Sequence, residues 1–365
     1  MKTMFRVCLL LFLVDAANAA DYKIETVVAG LSYPWALAFL PGGDMLVTER
    51  PGQLRRISNG ELRQQPIAGL PEVYVDGQGG LFDIILDPDF AGNQRLYLSF
   101  ATGTKSNNAT RVISARLEQN SLVDIQVIFT ASPDKDTPHH FGGRLALLPD
   151  QTLLITVGDG FDYRKQAQRL DNHFGKLIRI HTDGTVPADN PFTGRSGALP
   201  EIWTYGHRNP QGLLVSADGT VWLHEHGPRG GDELNAIEPG RNYGWPAITH
   251  GMDYSGAYVS PYTEAAGMEQ PVTYWVPSIA PAGFCEYRGE AFPEWQGNLF
   301  VAALVEKSVR RLVLKDGRVQ SQEILFTEPG ERIREVRAGP DGYLYLLTDS
   351  DEGKILRVSP AGKLD

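Results

Sequence analysis

The stretch Leu40-Pro-Gly-Gly-Asp-Met-Leu-Val47 joins a tight turn to a run of alternating apolar residues, and the chain of 365 residues contains six such units. Alternation with period two, bounded by turn residues, predicts a half-buried antiparallel strand after each turn. The other five units are Leu86-Asp-Pro-Asp-Phe90 with Arg95-Leu-Tyr-Leu98, Leu148-Pro-Asp-Gln-Thr-Leu-Leu-Ile155, Ser216-Ala-Asp-Gly-Thr-Val-Trp-Leu223, Phe292-Pro-Glu-Trp-Gln-Gly-Asn-Leu-Phe-Val301 and Gly339-Pro-Asp-Gly-Tyr-Leu-Tyr-Leu346.

A second signal, an apolar stretch that carries Arg or Lys, follows most of these strands. It is clear at 52–57, 111–117, 175–180, 308–314 and 353–358, and weaker at 232–237. Strand pairs that recur at intervals of about fifty to seventy residues are typical of radial arrays of sheets. The sequence therefore predicts an all-β fold, a six-bladed β-propeller of four-stranded antiparallel sheets.

The first twenty residues have the pattern of a secretory signal peptide. A charged start precedes the apolar run Val7–Val14 and the small-residue pattern Ala17-Asn-Ala19. We therefore expect a signal peptide at 1–20, one propeller domain at 21–365, and a periplasmic or secreted protein. The apolar run is shorter than the roughly 20 residues of a membrane-spanning helix, so no membrane insertion is expected. Cleavage would leave Cys285 without an internal disulfide partner.

The formal net charge of −10, with no block of basic residues, argues against nucleic acid or anionic lipid as a partner. A neutral or cationic partner fits this charge better. Function is therefore sought in loops of unusual composition, because loops at one end of a propeller converge on its channel.

Two Gly-rich loops carry candidate polar groups. In Asp76–Asp83 the glycines let the backbone approach a ligand while the Gln78 amide points at it, although a plain turn needs the same glycines. In 138–144, His139 and His140 are candidates for a general base, because a neutral imidazole can take a proton at working pH. Adjacent histidines are also common as surface or metal-binding residues, and at most one should face the channel.

Two further loops are rich in polar groups. Arg208 offers a planar fork for carboxylate or quinone oxygens, and Asn209 precedes a proline that favours an extended backbone. The alternative is that Arg208 only ties down neighbouring loop carbonyls.

The loop 224–235 and its continuation to 253 provide oxygen ligands that suit Ca²⁺, namely those of Gly227, Pro228, Glu233 and Asp253. Zinc is a weaker interpretation, since no third nitrogen or sulfur ligand is near.

Near the end of the chain, Arg332 and Arg334 alternate with apolar residues and so share one face of a predicted strand. Two guanidinium groups on one face repel each other unless negatively charged groups lie nearby. Those groups are either Glu331 and Glu335 or a polyanionic ligand in the channel.

Taken together, these motifs resemble the soluble aldose sugar dehydrogenases that depend on pyrroloquinoline quinone (PQQ), in the glucose/sorbosone dehydrogenase family. The resemblance extends from Leu31 to Pro360. The motifs that carry it are Gly77-Gln-Gly-Gly-Leu81, His140 ahead of Gly143-Arg-Leu145, Gly206-His-Arg-Asn-Pro-Gln-Gly212, Gly227-Pro228 with Asp232-Glu-Leu-Asn235, Asn242-Tyr-Gly-Trp-Pro246, Arg332-Ile-Arg334 and Gly339-Pro-Asp-Gly-Tyr-Leu-Tyr-Leu-Leu-Thr-Asp349.

The resemblance implies a role for each matching residue. It implies that His140 is the general base, and that the Gly227 and Pro228 carbonyls bind a Ca²⁺ that also grips the quinone. The residues expected to bind the cofactor are Gln78, Arg208, Asn209, Arg332 and Arg334. A second, structural Ca²⁺ would be bound by Glu233, the Tyr243 carbonyl and Asp253. The family has a cofactor-binding lysine where this chain has Val305, and Lys307, two residues later, is the candidate replacement.

The reaction implied is oxidation of an aldose at C1 to the lactone. His140 takes the hydroxyl proton, hydride passes to the quinone, and Ca²⁺ polarises the quinone carbonyl. The expected partners are an aldose and an unidentified electron acceptor, and the expected state is a monomer or homodimer. Two alternatives stay open: a Ca²⁺-dependent sugar lactonase, and a propeller that binds without catalysis.

Overall fold

Six four-stranded antiparallel sheets make up the computed structural model, which describes residues 22–362. The fold predicted from the repeated units is confirmed. The predicted signal peptide, residues 1–20, lies outside the described residues.

The strands group into sheets almost in chain order. They are β2 (Pro34–Phe39), β3 (Met45–Glu49), β4 (Gln53–Ser58) and β5 (Glu61–Leu62) in the first sheet; β6 (Leu81–Leu86), β7 (Arg95–Thr104), β8 (Asn107–Glu118) and β9 (Ser121–Thr130) in the second; β10 (Leu145–Leu147), β11 (Leu153–Val157), β12 (Lys176–Ile180) and β13 (Ile202–Tyr205) in the third; β14 (Pro210–Val215), β15 (Val221–Glu225), β16 (Asp232–Ile237) and β17 (Thr273–Trp275) in the fourth; β18 (Pro281–Glu286), β19 (Leu299–Ala303), β20 (Ser308–Lys315) and β21 (Arg318–Leu325) in the fifth; and β22 (Ile333–Ala338), β23 (Leu344–Thr348), β24 (Gly353–Pro360) and β1 (Tyr22–Leu31) in the sixth.

Helical structure is short in the described part of the chain. It consists of α1 (Phe90–Asn93) and two 3₁₀ helices, η1 (Arg164–Gln168) and η2 (Pro293–Trp295). Between residues 22 and 362, no helix has the length and apolar character needed to cross a membrane.

Each predicted turn joins the first strand of a sheet to the second. In the first sheet, the Gly43 amide donates to the Leu40 carbonyl at 2.9 Å and Leu40 donates to Asp44 at 2.8 Å. Gly43 has a φ of 89°, a left-handed conformation that glycine adopts without steric cost. The Arg- and Lys-bearing stretches form the third strands, including the weak copy at 232–237, which is β16.

The ring closes by pairing the beginning of the described chain with its end. Strand β1 adds to β24 in the sixth sheet, with Tyr22 opposite Pro360 and Leu31 opposite Gly353. The innermost strands β2, β6, β10, β14, β18 and β22 each contact the next around the axis. Closure packs the short inner edge strands against one another, and it brings loops from distant parts of the sequence to one channel.

Charged side chains cross the axis in the interior. Arg144, just before β10, donates to Glu335 on β22 at 2.5 Å, and its guanidinium lies 3.9 Å from the centre of the Trp35 ring. Arg337, also on β22, is 3.3 Å from Asp83 on β6. Asp83, Arg144 and Glu335 are buried, so the pairs compensate charges that water does not reach.

Replacing Arg144 with Met should lower the free energy of unfolding by about 3–5 kcal/mol, because it leaves the Glu335 carboxylate buried without its closest partner. Urea unfolding followed by circular dichroism measures the loss. Arg169→Met is the control, since its pair with Asp171 is exposed and should contribute only about 0–1 kcal/mol. Equal losses in the two variants would contradict the importance of the axial pairs.

Candidate active site

A cavity of about 270 Å³ at one end of the channel brings together four of the predicted site residues. We call it the arginine cavity, after the three arginines in its wall. Its polar lining consists of Arg50, Gln78, Asn209, Gln211, His226, Arg332, Arg334 and Asp349. These residues come from the first, second, fourth and sixth sheets or from the loops beside them, so only the closed ring could assemble the cavity.

Arg332 and Arg334 share one carboxylate. Arg332 Nε donates to Asp349 at 3.0 Å, and Arg334 Nη2 lies 3.4 Å from the other oxygen of Asp349. The two glutamates that flank the arginines are engaged elsewhere, Glu331 with Lys354 and Glu335 with Arg144. The alternative pairing with Glu331 and Glu335 is therefore wrong.

The arginine cavity carries more positive than negative charge. Three guanidinium groups, those of Arg50, Arg332 and Arg334, face it together with the single carboxylate of Asp349. Burial acts to raise the pKa of Asp349, but the two nearby arginines outweigh it and hold the pKa below its usual range. Arg334 Nε is also buried without a hydrogen-bond partner. A ligand with carboxylates would balance the excess positive charge and accept a hydrogen bond from Arg334 Nε.

His140 lies beside this cavity in a strained backbone conformation. Its φ of 51° is in the left-handed region, which a side chain other than glycine rarely adopts. The His140 amide donates to Gln78 Oε1 at 2.8 Å, and Nδ1 lies 2.6 Å from Asp159 Oδ1. Strain of this kind at a polar residue often marks a functional site.

Asp159 fixes the orientation and the tautomer of the His140 ring. It is fully buried, and its carboxylate also accepts hydrogen bonds from Trp245 Nε1 at 2.7 Å and from the Phe161 amide at 2.8 Å. An ionised carboxylate only accepts, so the proton of the neutral imidazole is on Nδ1. Nε2 of His140 is then the basic nitrogen.

Burial lowers the pKa of His140, and the charge and hydrogen bond of Asp159 offset only part of this effect. The imidazole is therefore neutral near pH 7 and able to accept a proton. Sequence reasoning missed Asp159. The signal available was a single carboxylate between two glycines, in Gly158-Asp-Gly160, directly after a buried strand.

A second cavity, of about 350 Å³, is next to the His140–Asp159 pair, since Phe161 and Trp245 in its wall contact that pair. We call it the aromatic cavity. It is lined by Phe161, Asp162, Arg164, Arg208, Pro228, Trp245, Asp253, Tyr254 and Val259. The Phe161 ring packs against His140 with its centre 5.1 Å away. The lining contains two carboxylates and two guanidinium groups, so its formal charge is balanced and it suits a neutral polar ligand.

Arg208 lines the aromatic cavity, whereas its neighbour Asn209 lines the arginine cavity. The Arg208 guanidinium donates to the carbonyls of Gly227 at 2.6 Å and His226 at 3.1 Å. Arg208 therefore does tie down loop carbonyls, but this is not its only contact. The guanidinium also lies 5.3 Å from the centre of the Trp245 ring, where it forms part of the cavity wall.

The first predicted Ca²⁺ site consists of backbone oxygens. The Gly227 carbonyl already accepts from Arg208, and the Pro228 carbonyl is 3.5 Å from the Ser278 hydroxyl. Across residues 22–362, no group of three or more His, Cys, Asp or Glu side chains is arranged to hold a metal. The oxygens suit Ca²⁺ in kind, but Ca²⁺ takes about 6–8 ligands, so a cofactor and water would have to supply the others.

The carboxylates of the second predicted Ca²⁺ site have separate partners. Glu233 lies opposite Glu225 on paired strands, and burial, with a contribution from Glu225, raises its pKa to about 8. Asp253 pairs with Arg164 at 3.3 Å, and hydrogen bonds from Ser255 lower its pKa. The ring of Tyr243, whose carbonyl was the third predicted ligand, is buried. Within residues 22–362, neither carboxylate belongs to a cluster of three or more His, Cys, Asp or Glu side chains.

Lys307 is not brought to the arginine cavity. The prediction relied on strand alternation, but β19 ends at Ala303 and residues 304–307 form a turn in which Lys307 has a φ of 56°. Lys307 is exposed, while Leu304 lines the arginine cavity in its place.

Comparison with known proteins places this chain among sugar dehydrogenases by both family model and sequence identity. The model of the family described as Glucose / Sorbosone dehydrogenase matches residues 31–357. The aldose sugar dehydrogenase YliI of Escherichia coli K12 is 44% identical over 352 residues, which cover 94% of this chain and 94% of that protein.

Two solved structures share the fold over nearly their whole length. The apo form of the soluble aldose sugar dehydrogenase of Escherichia coli has a TM-score of 0.90 and 43% identity, covering 93% of this chain and 99% of that one. The PQQ-bound aldose sugar dehydrogenase of Streptomyces coelicolor has a TM-score of 0.76 and 29% identity, covering 93% and 99%.

Asp159→Asn should lower the pKa of His140 further, because it removes the negative charge that stabilises the imidazolium. NMR titration of ¹⁵N-labelled imidazoles measures the change, with the His140 signals assigned by their loss in His140→Gln. Asp162→Asn is the control, since it removes a nearby carboxylate that has no hydrogen bond to His140. A pKa that stays unchanged or rises in Asp159→Asn would contradict the described electrostatics.

Proposed function

The chain belongs to the glucose/sorbosone dehydrogenase family, and from this premise we propose that it is a PQQ-dependent oxidoreductase that converts aldoses to lactones at C1. One observation carries the proposal: the His140–Asp159 pair contacts Gln78 in the wall of a cavity with excess positive charge, and Phe161 and Trp245 in the wall of a cavity with balanced charge. A redox reaction between an anionic cofactor and a neutral sugar needs this arrangement.

The arginine cavity fits the cofactor. Arg332 and Arg334 would bind its carboxylates, and the Gly227 and Pro228 carbonyls would bind Ca²⁺ beside it. When bound, PQQ would accept the hydride, with Ca²⁺ as a Lewis acid on its carbonyl. The solved PQQ-bound structure of a relative at 29% identity supports this choice of cofactor.

The aromatic cavity fits the sugar. Trp245, Phe161 and Tyr254 offer rings to the apolar faces of a pyranose, and the Arg164–Asp253 pair offers donors and acceptors to its hydroxyls. The anomeric carbon would then lie close to His140.

His140 would act as the general base. Nε2 takes the proton of the C1 hydroxyl, the C1–H bond breaks with loss of hydride, and the C1–O bond becomes the lactone carbonyl. The imidazolium formed in this step is stabilised by Asp159, which does not need to move. Below the lowered pKa of His140 the ring is already protonated, so turnover should fall as the pH drops through that value.

His140→Ala should reduce kcat about 10²- to 10⁴-fold, the usual contribution of a general base, while PQQ affinity stays close to that of the wild type. Dye-coupled turnover of aldoses, after reconstitution with PQQ and Ca²⁺, measures the loss. His139→Ala is the matched control and should retain activity. Normal turnover by His140→Ala would refute the assignment of the base.

The same preparation separates the alternatives. Hydrolysis of a sugar lactone without PQQ would favour the lactonase, and the absence of both activities would favour a binding module.

Arg334→Met should weaken PQQ binding about 10- to 100-fold, because it removes a charge-assisted hydrogen bond from a buried cavity. Equilibrium titration of the protein with PQQ in the presence of Ca²⁺ measures the affinity. Lys307→Met is the control and should bind PQQ normally, since Lys307 lies outside the cavity. If Lys307→Met weakened binding as much as Arg334→Met, the cavity would be wrongly assigned.

Export is a further part of the proposal, and it rests on the signal-like pattern in residues 1–20. Amino-terminal sequencing of the protein recovered from outside the cytoplasm should begin near Ala20 or Asp21.

A further inference from the structure

Lys135 is a buried lysine to which the proposed reaction gives no role so far. It is 5% exposed and lies in the connection between β9 and β10, ahead of His140. Burial lowers the pKa of its ammonium to about 7, and the carboxylates of Asp136 and Asp159 offset only part of this effect. A charge in such surroundings is costly unless its contacts compensate for the lost water, so those contacts are informative.

The ammonium contacts the chain on both sides of His140. Nζ donates to the carbonyl of Thr137, which precedes His140, and lies 3.4 Å from the centre of the ring of Phe141, which follows it. Nζ also donates to Asn108 Oδ1 at 2.7 Å, and the Asn108 amide on β8 donates to the Lys135 carbonyl at 2.8 Å. Lys135 therefore ties the chain around His140 to the second sheet.

The same segment packs against the loop that carries Asp159. The Thr137 hydroxyl donates to the carbonyl of Gly160, the residue after Asp159, at 2.6 Å. A Cβ added at Gly160 would lie 3.0 Å from Cδ of Lys135. The Lys135 side chain thus packs against the backbone next to Asp159 as well as against the chain around His140.

The backbone of His140 depends on contacts of this kind. Its φ of 51° is unfavourable for a side chain other than glycine, and such a conformation persists only where the surrounding structure fixes it. The distance of 2.6 Å between His140 Nδ1 and Asp159 depends on that conformation, because a change of φ would move the ring. The ammonium restrains the chain before and after His140, and so it opposes relaxation of φ.

We propose that Lys135 is a positioning residue for the sugar oxidation, and that its ammonium holds the His140 ring against Asp159. This inference rests on the proposed function, in which His140 is the general base. Lys135 lines neither the arginine cavity nor the aromatic cavity, so it acts through His140 and not on a ligand. With the ring held, Nδ1 keeps its proton and Nε2 stays free to take the proton of the C1 hydroxyl.

Lys135→Met tests the proposal, because it removes the charge and the donors but keeps a side chain of similar length. The ¹⁵N signals of His140 are measured in the protein without PQQ and assigned by their loss in His140→Gln. In the wild type, only Nδ1 of the neutral ring should be protonated, whereas in Lys135→Met the tautomer with its proton on Nε2 should appear. After reconstitution, kcat should fall about 10- to 100-fold, while KM for the aldose and PQQ affinity stay close to those of the wild type.

Lys135→Gln is the second variant and decides the matter if Lys135→Met does not fold. Its amide is one bond shorter than the ammonium, so it should not reach the same acceptors and should give the same tautomer and the same loss of kcat. Lys165→Met is the matched control, since Lys165 is exposed on η1, and it should leave the tautomer and kcat unchanged.

A single Nδ1 tautomer with wild-type kcat in both Lys135 variants would overturn the inference. An equal fall in kcat and in PQQ affinity would also overturn it, because that result indicates a general loss of structure. Failure of the wild-type protein to oxidise any aldose would instead refute the proposed function, and the ¹⁵N signals would still show whether Lys135 holds the His140 ring.

Discussion

Closure of the ring is the constraint on which the rest of the structure depends. Pairing of β1 with β24 holds the sixth sheet against the first, and only then do residues as distant as Arg50, Gln78, Asn209 and Arg334 share one cavity. The axial pairs that include Arg144 and Glu335 add a polar contact between the third and sixth sheets. The site is thus a property of the whole ring, and no single sheet contains it.

Within that ring, the two cavities differ in the charge of the residues that line them. Excess positive charge marks the arginine cavity, and balanced charge marks the aromatic cavity. His140 contacts residues in the walls of both cavities and is kept neutral by burial, while Asp159 determines which nitrogen is basic. These two environments suit the anionic cofactor and the neutral sugar of the proposed reaction, respectively.

The sequence predicted the architecture well because turns and alternating strands are local features. It also predicted which loops meet, since Gln78, Asn209, Arg332 and Arg334 line one cavity. It failed where a partner is distant in the chain or where a strand ends. Asp349, and not Glu331 or Glu335, pairs with the two arginines, and Lys307 lies in a turn after β19 instead of on its face. Asp159 was missed because an isolated carboxylate has no pattern until the fold places it beside His140.

The central claim is that His140 lies between a cofactor in the arginine cavity and a sugar in the aromatic cavity. A crystal structure of the protein with PQQ, Ca²⁺ and an aldose bound tests this most directly. The account predicts cofactor carboxylates on Arg332 and Arg334, and the C1 hydroxyl within hydrogen-bond distance of His140 Nε2. A cofactor bound away from these arginines, or a sugar whose C1 is out of reach of His140, would contradict it.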